Sequence, residues 1–213
     1  MNKAWLTGVA LAGIVFVIQN NIVASPAAPS SELAIGPYSH MHMLLEKTIF
    51  DIDVLTLDVQ VDPPTQGEFR KLWSGHTFSE MLADQTAQIL YNSQHVQVEM
   101  RFVRNVGFRR FIHETVLSAE CARKANVITE TEFKRVQTNI KEWYAAIAKS
   151  GIKSGDTISY DLENTSLHTT LRNKKGEVLV DQTDQGRQPG LSVLGGFFAS
   201  CSNFRKPLIQ SLK

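Results

Sequence analysis

Residues 151–182 read GIKSGDTISYDLENTSLHTTLRNKKGEVLVDQ, and this stretch decides the fold class. Three short runs in it alternate between apolar and polar side chains. In the first, Ile158, Tyr160 and Leu162 face one way and Thr157, Ser159 and Asp161 the other. In the second, Leu167, Thr169 and Leu171 oppose His168, Thr170 and Arg172. In the third, residues 177–181, Val178 and Val180 share a face, and Gly155-Asp156, Asn164 and Lys175-Gly176 stand at the breaks. Period-two alternation punctuated by turn residues predicts an antiparallel meander with one wet and one dry face.

The flanking segments are expected to cover the dry face. Upstream, Thr129 and Glu132 have capping-box spacing. They precede a helical stripe of Phe133, Val136, Ile140, Trp143, Tyr144 and Ile147, with Gly151 where a terminating glycine is expected. Downstream, residues 185–190 read as a loop. Residues 191–202 (LSVLGGFFASCS) then read as an apolar helix whose Gly195-Gly196 permits close backbone approach, and residues 204–212 close the chain.

Further upstream, Val96, Val98, Met100 and Phe102 alternate with Gln97, Glu99 and Arg101, which predicts a half-buried strand leading to a helix over 111–125. Residues 69–92 read as a helix in two pieces broken at Ser74-Gly75, with Met81 assigned to the core. In residues 49–62 the apolar positions change parity: Phe50, Ile52 and Val54 are followed by Leu55, Leu57, Val59 and Val61. A face switch inside one extended run predicts a β-bulge or sharp twist near Val54-Leu55. It also puts Asp51 and Asp53 on the side that is dry further along, either at the open rim of the core or in a ligand cleft. Pro63-Pro64 ends the strand.

The first residues have the form of a secretory leader. Met1-Asn2-Lys3 is a short cationic start, residues 4–18 are apolar apart from Thr7, and Ile22-Val23-Ala24-Ser25 is a small-residue end. An uncleaved anchor is the alternative, but the run is shorter than the roughly 20 apolar residues a span needs. The expected organisation is a leader over 1–25, a flexible tether over 26–40 and one domain over 41–213. The expected location is across the inner membrane, in a periplasm, with no membrane span after processing. Cys121 and Cys201 both fall in predicted helices and read as small buried apolar residues rather than a disulfide, although an oxidising compartment permits one.

Composition narrows the function. A hydrophobic fraction of 43% and a charged fraction of 20% are those of a globular domain. Net charge is +1 and no Lys/Arg run exceeds two residues, so the basic stripe of a nucleic-acid binder is missing. Phosphate-binding glycine loops, dinucleotide fingerprints, G-x-S-x-G, H-E-x-x-H and C-x-x-C are all absent, and no cofactor is expected. His40-Met41-His42 sits just before the first expected strand, and two His one residue apart share a strand face. Nothing nearby in sequence completes a metal set, so they read as strand-edge histidines and no metal site is assigned. Arg104, Arg109 and Arg110 cluster on a strand-to-helix connection. Such a cluster can hold a carboxylate bidentately and is more often a solvated face.

Residues 151–156 (GIKSGD), the strand 157–162, the turn Asn173-Lys174-Lys175-Gly176 and the segment Leu194-Gly195-Gly196-Phe197-Phe198, in this order, resemble the chalcone isomerase superfamily in its bacterial chalcone isomerase-like branch. The resemblance implies an α+β fold, an open-faced β-sandwich in which a long antiparallel sheet is covered on one face by a layer of helices. It implies a ligand cleft between sheet and helices, used by some members to close a flavanone ring and by others to bind fatty acids. The catalytic positions of the enzymes look substituted. Phe108 stands where they place a Tyr, Thr115 where they place an Asn, Asp53 near the early Thr and Ala199 or Ser200 near the late one. Lys47 is the nearest cation to the missing Arg. No catalytic residue is therefore assigned. The expected ligand contacts are Lys47, Asp53, Arg104, Phe108, Arg109, Arg110, Thr115 and Ser200, around a small amphipathic molecule such as a fatty acid. The alternatives are an isomerase of altered chemistry using Asp51 or Asp53 as base, and a scaffold whose cleft is filled by its own side chains.

Overall fold

A computed structural model describes residues 32–47 and 52–212. Six strands lie in sequence order in one antiparallel sheet: β1 (His40–Lys47), β2 (Ile52–Val61), β3 (His95–Phe102), β4 (Thr157–Glu163), β5 (Ser166–Arg172) and β6 (Val178–Gln185). The helices α1 (Pro63–Trp73) and α2 (Glu80–Asn92) lie between β2 and β3. The helices α3 (Phe108–Lys124) and α4 (Glu130–Trp143) lie between β3 and β4, and α5 (Arg187–Phe198) and α6 (Arg205–Gln210) follow β6. The helices pack on one face of the sheet, over a core that runs from Met41 and Leu57 through Val98 and Ile158 to Leu171. This is the open-faced α+β architecture expected from the sequence. Among the described residues no helix is long and apolar enough to cross a membrane. The proposed leader over 1–25, and Asp51, lie outside the described residues.

The parity switch in β2 has its expected cause. Leu45 of β1 pairs with Leu55 while Glu46 pairs with Asp53, so Val54 is an extra residue without a partner. Beyond it Leu55, Leu57, Val59 and Val61 are all buried. A second bulge was not foreseen. Leu171 pairs with Val180 and Arg172 with Val178, which skips Leu179. The extra residue turns Val178 out, 45% exposed, so it does not share the buried face of Val180 as expected.

The turn residues of the meander act as predicted. The Asp156 carboxylate is buried and accepts from the N–H groups of Lys153 at 2.7 Å and Lys174 at 3.2 Å, tying the turn before β4 to the one after β5. Gly151 has φ +62°, and a Cβ there would meet the Val106 carbonyl oxygen at 2.5 Å, so only glycine fits.

Several expectations are corrected. Residues 40–47 form an edge strand of their own, which the short HMH motif did not reveal. The chain is already tied down ahead of it, within the expected tether, because the buried Ala34 donates to the Val61 carbonyl at 2.8 Å. Met81 is 66% exposed rather than core, since α2 turns Leu82, Ala83, Thr86, Ala87 and Leu90 inward. The last long helix spans 187–198, four residues earlier at each end than expected. Thr129 caps α4 by accepting from the Glu132 N–H at 3.1 Å, but the box is not reciprocal: the Thr129 N–H goes to Gln188. Cys121 and Cys201 form a disulfide with a Cα–Cα distance of 5.9 Å. The cause is close helix packing. A Cβ on Gly195 would lie 2.5 Å from the Ala122 Cβ, so α5 rests directly on α3 and brings the segment after its C-terminus to Cys121.

Candidate functional site

Between the dry face of β4–β6 and the helices α3, α4 and α5 lies a cavity of about 60 Å³. The sheet supplies its floor through Tyr160, Leu167, Thr169 and Val180. The stripe on α4 supplies one wall through Val136, Ile140, Trp143 and Tyr144. Thr115 of α3 and Pro189, Ser192 and Val193 of α5 close the rest. Such a volume is several times the roughly 10–15 Å³ that one water needs. It is well below the ~300–1,000 Å³ of small-molecule sites.

Inside, the hydroxyls of Tyr144 and Tyr160 lie 3.3 Å apart. Burial pushes the pKa of Tyr144 well above its ordinary value and that of Tyr160 upward as well. Both are therefore neutral near pH 7 and available as hydrogen-bonding groups rather than as bases. The edge of the cavity is ionic. Arg135 donates from Nε and Nη2 to the two oxygens of Glu132, at 2.8 and 2.9 Å, and from Nη1 to Asp184 at 2.6 Å. The hydrogen bonds to Glu132 raise the Arg135 pKa; burial opposes them and Asp184 reinforces them. Asp184 is further held by Gln182 at 2.8 Å. The same guanidinium stacks over Trp143, 4.7 Å from its ring centroid.

Outside this wall an open groove of about 620 Å³ runs between the end of α4 and β6, lined among others by Asn139, Glu142, Ala146 and Asp181. Trp143, Val180 and Gln182 line both spaces. Trp143, half-buried, borders both spaces.

Of the residues expected at a site, Thr115 alone lines the cavity, and its hydroxyl donates back to the Phe111 carbonyl at 2.9 Å. Arg104, Arg109 and Arg110 are exposed and line neither cavity nor groove. The reason is the setting of α3, which starts at Phe108 and buries Phe111, Ile112, Ala119 and Ala122, leaving both helical arginines on its outer side. Phe108 packs half-buried against the core away from the cavity, and Ser200 is exposed just beyond α5. The backbones of Lys47 and Asp53 lie in the paired ends of β1 and β2, and their side chains lie outside the described residues. His40 and His42 share a face, as expected, and both reach one oxygen of Asp58, at 2.9 and 2.8 Å. Among the described residues no group of three or more His, Cys, Asp or Glu is disposed to hold a metal ion.

The cavity lining also includes Glu132, Arg135, Trp143 and Asp184, which the sequence reading did not assign to a site. Helical spacing puts the first three on one face of α4, beside Val136, and that flank of polar residues on an apolar stripe was the available signal.

No family model and no curated protein matches the chain. Among solved structures it is similar to a fatty-acid binding protein of Arabidopsis thaliana (AtFAP1), with 12% sequence identity, a TM-score of 0.49, and coverage of 86% of this chain and 91% of that one.

Proposed function

We propose that this chain is an exported, non-catalytic binding protein that takes one small amphipathic molecule between β4–β6 and helices α3–α5. The observation that carries the reading is the shared wall. Trp143, Val180 and Gln182 line both the cavity of about 60 Å³ and the open groove of about 620 Å³; the groove is already within the size range of small-molecule sites, and a rotation of Trp143 would add the cavity to it. The interior offers an apolar body-binding surface and a few hydroxyls, the usual make-up of such a pocket. The absence of catalysis is supported by the chemistry of the lining. The tyrosines are held neutral, and Glu132 and Asp184 are engaged by Arg135. Export is supported by the Cys121–Cys201 disulfide, a bond that persists in oxidising compartments.

Trp143→Ala tests the wall. The variant should bind the uncharged dye Nile red, with a brighter and blue-shifted emission, more tightly than the wild type. Failure of both proteins to bind the dye overturns the reading. That result would favour a scaffold whose cleft is filled by its own side chains, a second reading that the small volume of the cavity supports.

A further inference from the structure

We infer that the molecule taken into this site carries an uncharged oxygen head, such as an ester carbonyl, that accepts a hydrogen bond from the Tyr144–Tyr160 pair; the inference rests on the binding reading above. Both tyrosines line the cavity, and their hydroxyls share one contact of 3.3 Å. Each carries a single O–H, and one of the two can donate to the other oxygen. The second O–H has no acceptor among the described residues. It belongs to a side chain more than nine-tenths buried, since Tyr144 is 4% exposed and Tyr160 8%. A buried donor without an acceptor is destabilising, and a ligand that brings an oxygen to it removes the penalty. Both hydroxyls keep their protons near pH 7, because burial raises their pKa values. Thr169 and Ser192 add two further hydroxyls to the same lining.

A charged head finds no free complement inside. Arg135 is the one guanidinium or ammonium group among the described residues of the lining. It is already engaged through Nε and Nη2 by Glu132 and through Nη1 by Asp184. A carboxylate entering the cavity would therefore be buried without a cation of its own. An ammonium fares no better. Both oxygens of Glu132 and one of Asp184 are taken by Arg135, and the other Asp184 oxygen accepts from Gln182 at 2.8 Å. An uncharged head avoids both penalties and still satisfies the tyrosine donor.

Methyl octanoate, octanoate and octylammonium share one apolar chain and differ in head charge, while butylbenzene is an apolar body with no oxygen. Calorimetric titration of the full chain should show methyl octanoate binding about tenfold more tightly than either ion. The ratio of its affinity to that of butylbenzene should fall about tenfold in the Tyr144→Phe and Tyr160→Phe double variant, the effect of one lost hydrogen bond. The comparison of ester with ions needs no variant, so it decides the matter even if the double variant fails to fold. Octanoate or octylammonium binding as tightly as the ester overturns the uncharged head and leaves the binding site standing. An unchanged ratio in a folded double variant does the same. Binding of none of the four compounds overturns the site itself, and the inference with it.

Discussion

The Arg135 guanidinium lies 4.7 Å over the Trp143 ring while the same group holds the buried Glu132 carboxylate and Asp184. One side chain therefore fixes the wall of the cavity and compensates two charges near the core. Removing it leaves Glu132 buried and unpaired, which costs far more than the net worth of the pair. Arg135→Ala should lower unfolding free energy by about 3 kcal/mol. Urea denaturation measures this, and a loss below about 1 kcal/mol would mean that the triad is not holding the fold.

Gly195 and Gly67 predict opposite effects for one substitution. A Cβ at Gly195 meets the Ala122 Cβ at 2.5 Å, whereas one at Gly67, within α1, meets nothing within 4 Å. Gly195→Ala should cost about 1–3 kcal/mol by forcing α5 off α3. Gly67→Ala should instead stabilise by roughly 0.5–1 kcal/mol through helix propensity. Thermal melts of the two variants, compared with the wild type, check both signs.

The disulfide joins positions separated by 80 residues, so it removes much conformational freedom from the unfolded chain. Reduction, or a Cys121→Ser and Cys201→Ser double variant, should lower stability by roughly 2–4 kcal/mol. Unchanged melting with and without reductant would contradict the bridge.

Burial raises the pKa of Tyr91, Tyr144 and Tyr160, in each case as the largest cause. An unfolded tyrosine ionises near pH 10. The unfolded state therefore loses protons first, and the stability these groups contribute is complete below about pH 10 and declines as pH rises beyond it. Tyrosinate absorbance should show three tyrosines that ionise only as the protein unfolds. Their titration in the folded state near pH 10 would contradict the burial.

The meander was legible because its alternation is local, and the Val54 bulge because a change of parity is visible in one strand. The Leu179 bulge was not legible, since Val178 and Val180 keep the parity that a regular strand would have. The disulfide escaped because nothing in either cysteine's neighbourhood announces that Gly195 lets α5 sit on Ala122. The lining of the cavity was not legible for a related reason. Arg104, Arg109 and Arg110 are neighbours in sequence, but a concave surface is made by elements that are distant in sequence. Arg135 and Asp184 are 49 residues apart and meet only because β6 pairs beside β5 under α4. Thr115 stands on the inner side of α3 and lines the cavity.

The central claim is that the space behind Trp143 takes a ligand. Native mass spectrometry of the purified protein, followed by solvent extraction, tests it most directly. The account predicts one equivalent of a discrete bound mass, released by extraction and identified as a small amphipathic molecule. The bare mass of the chain, seen both as purified and after incubation with Nile red, would contradict it.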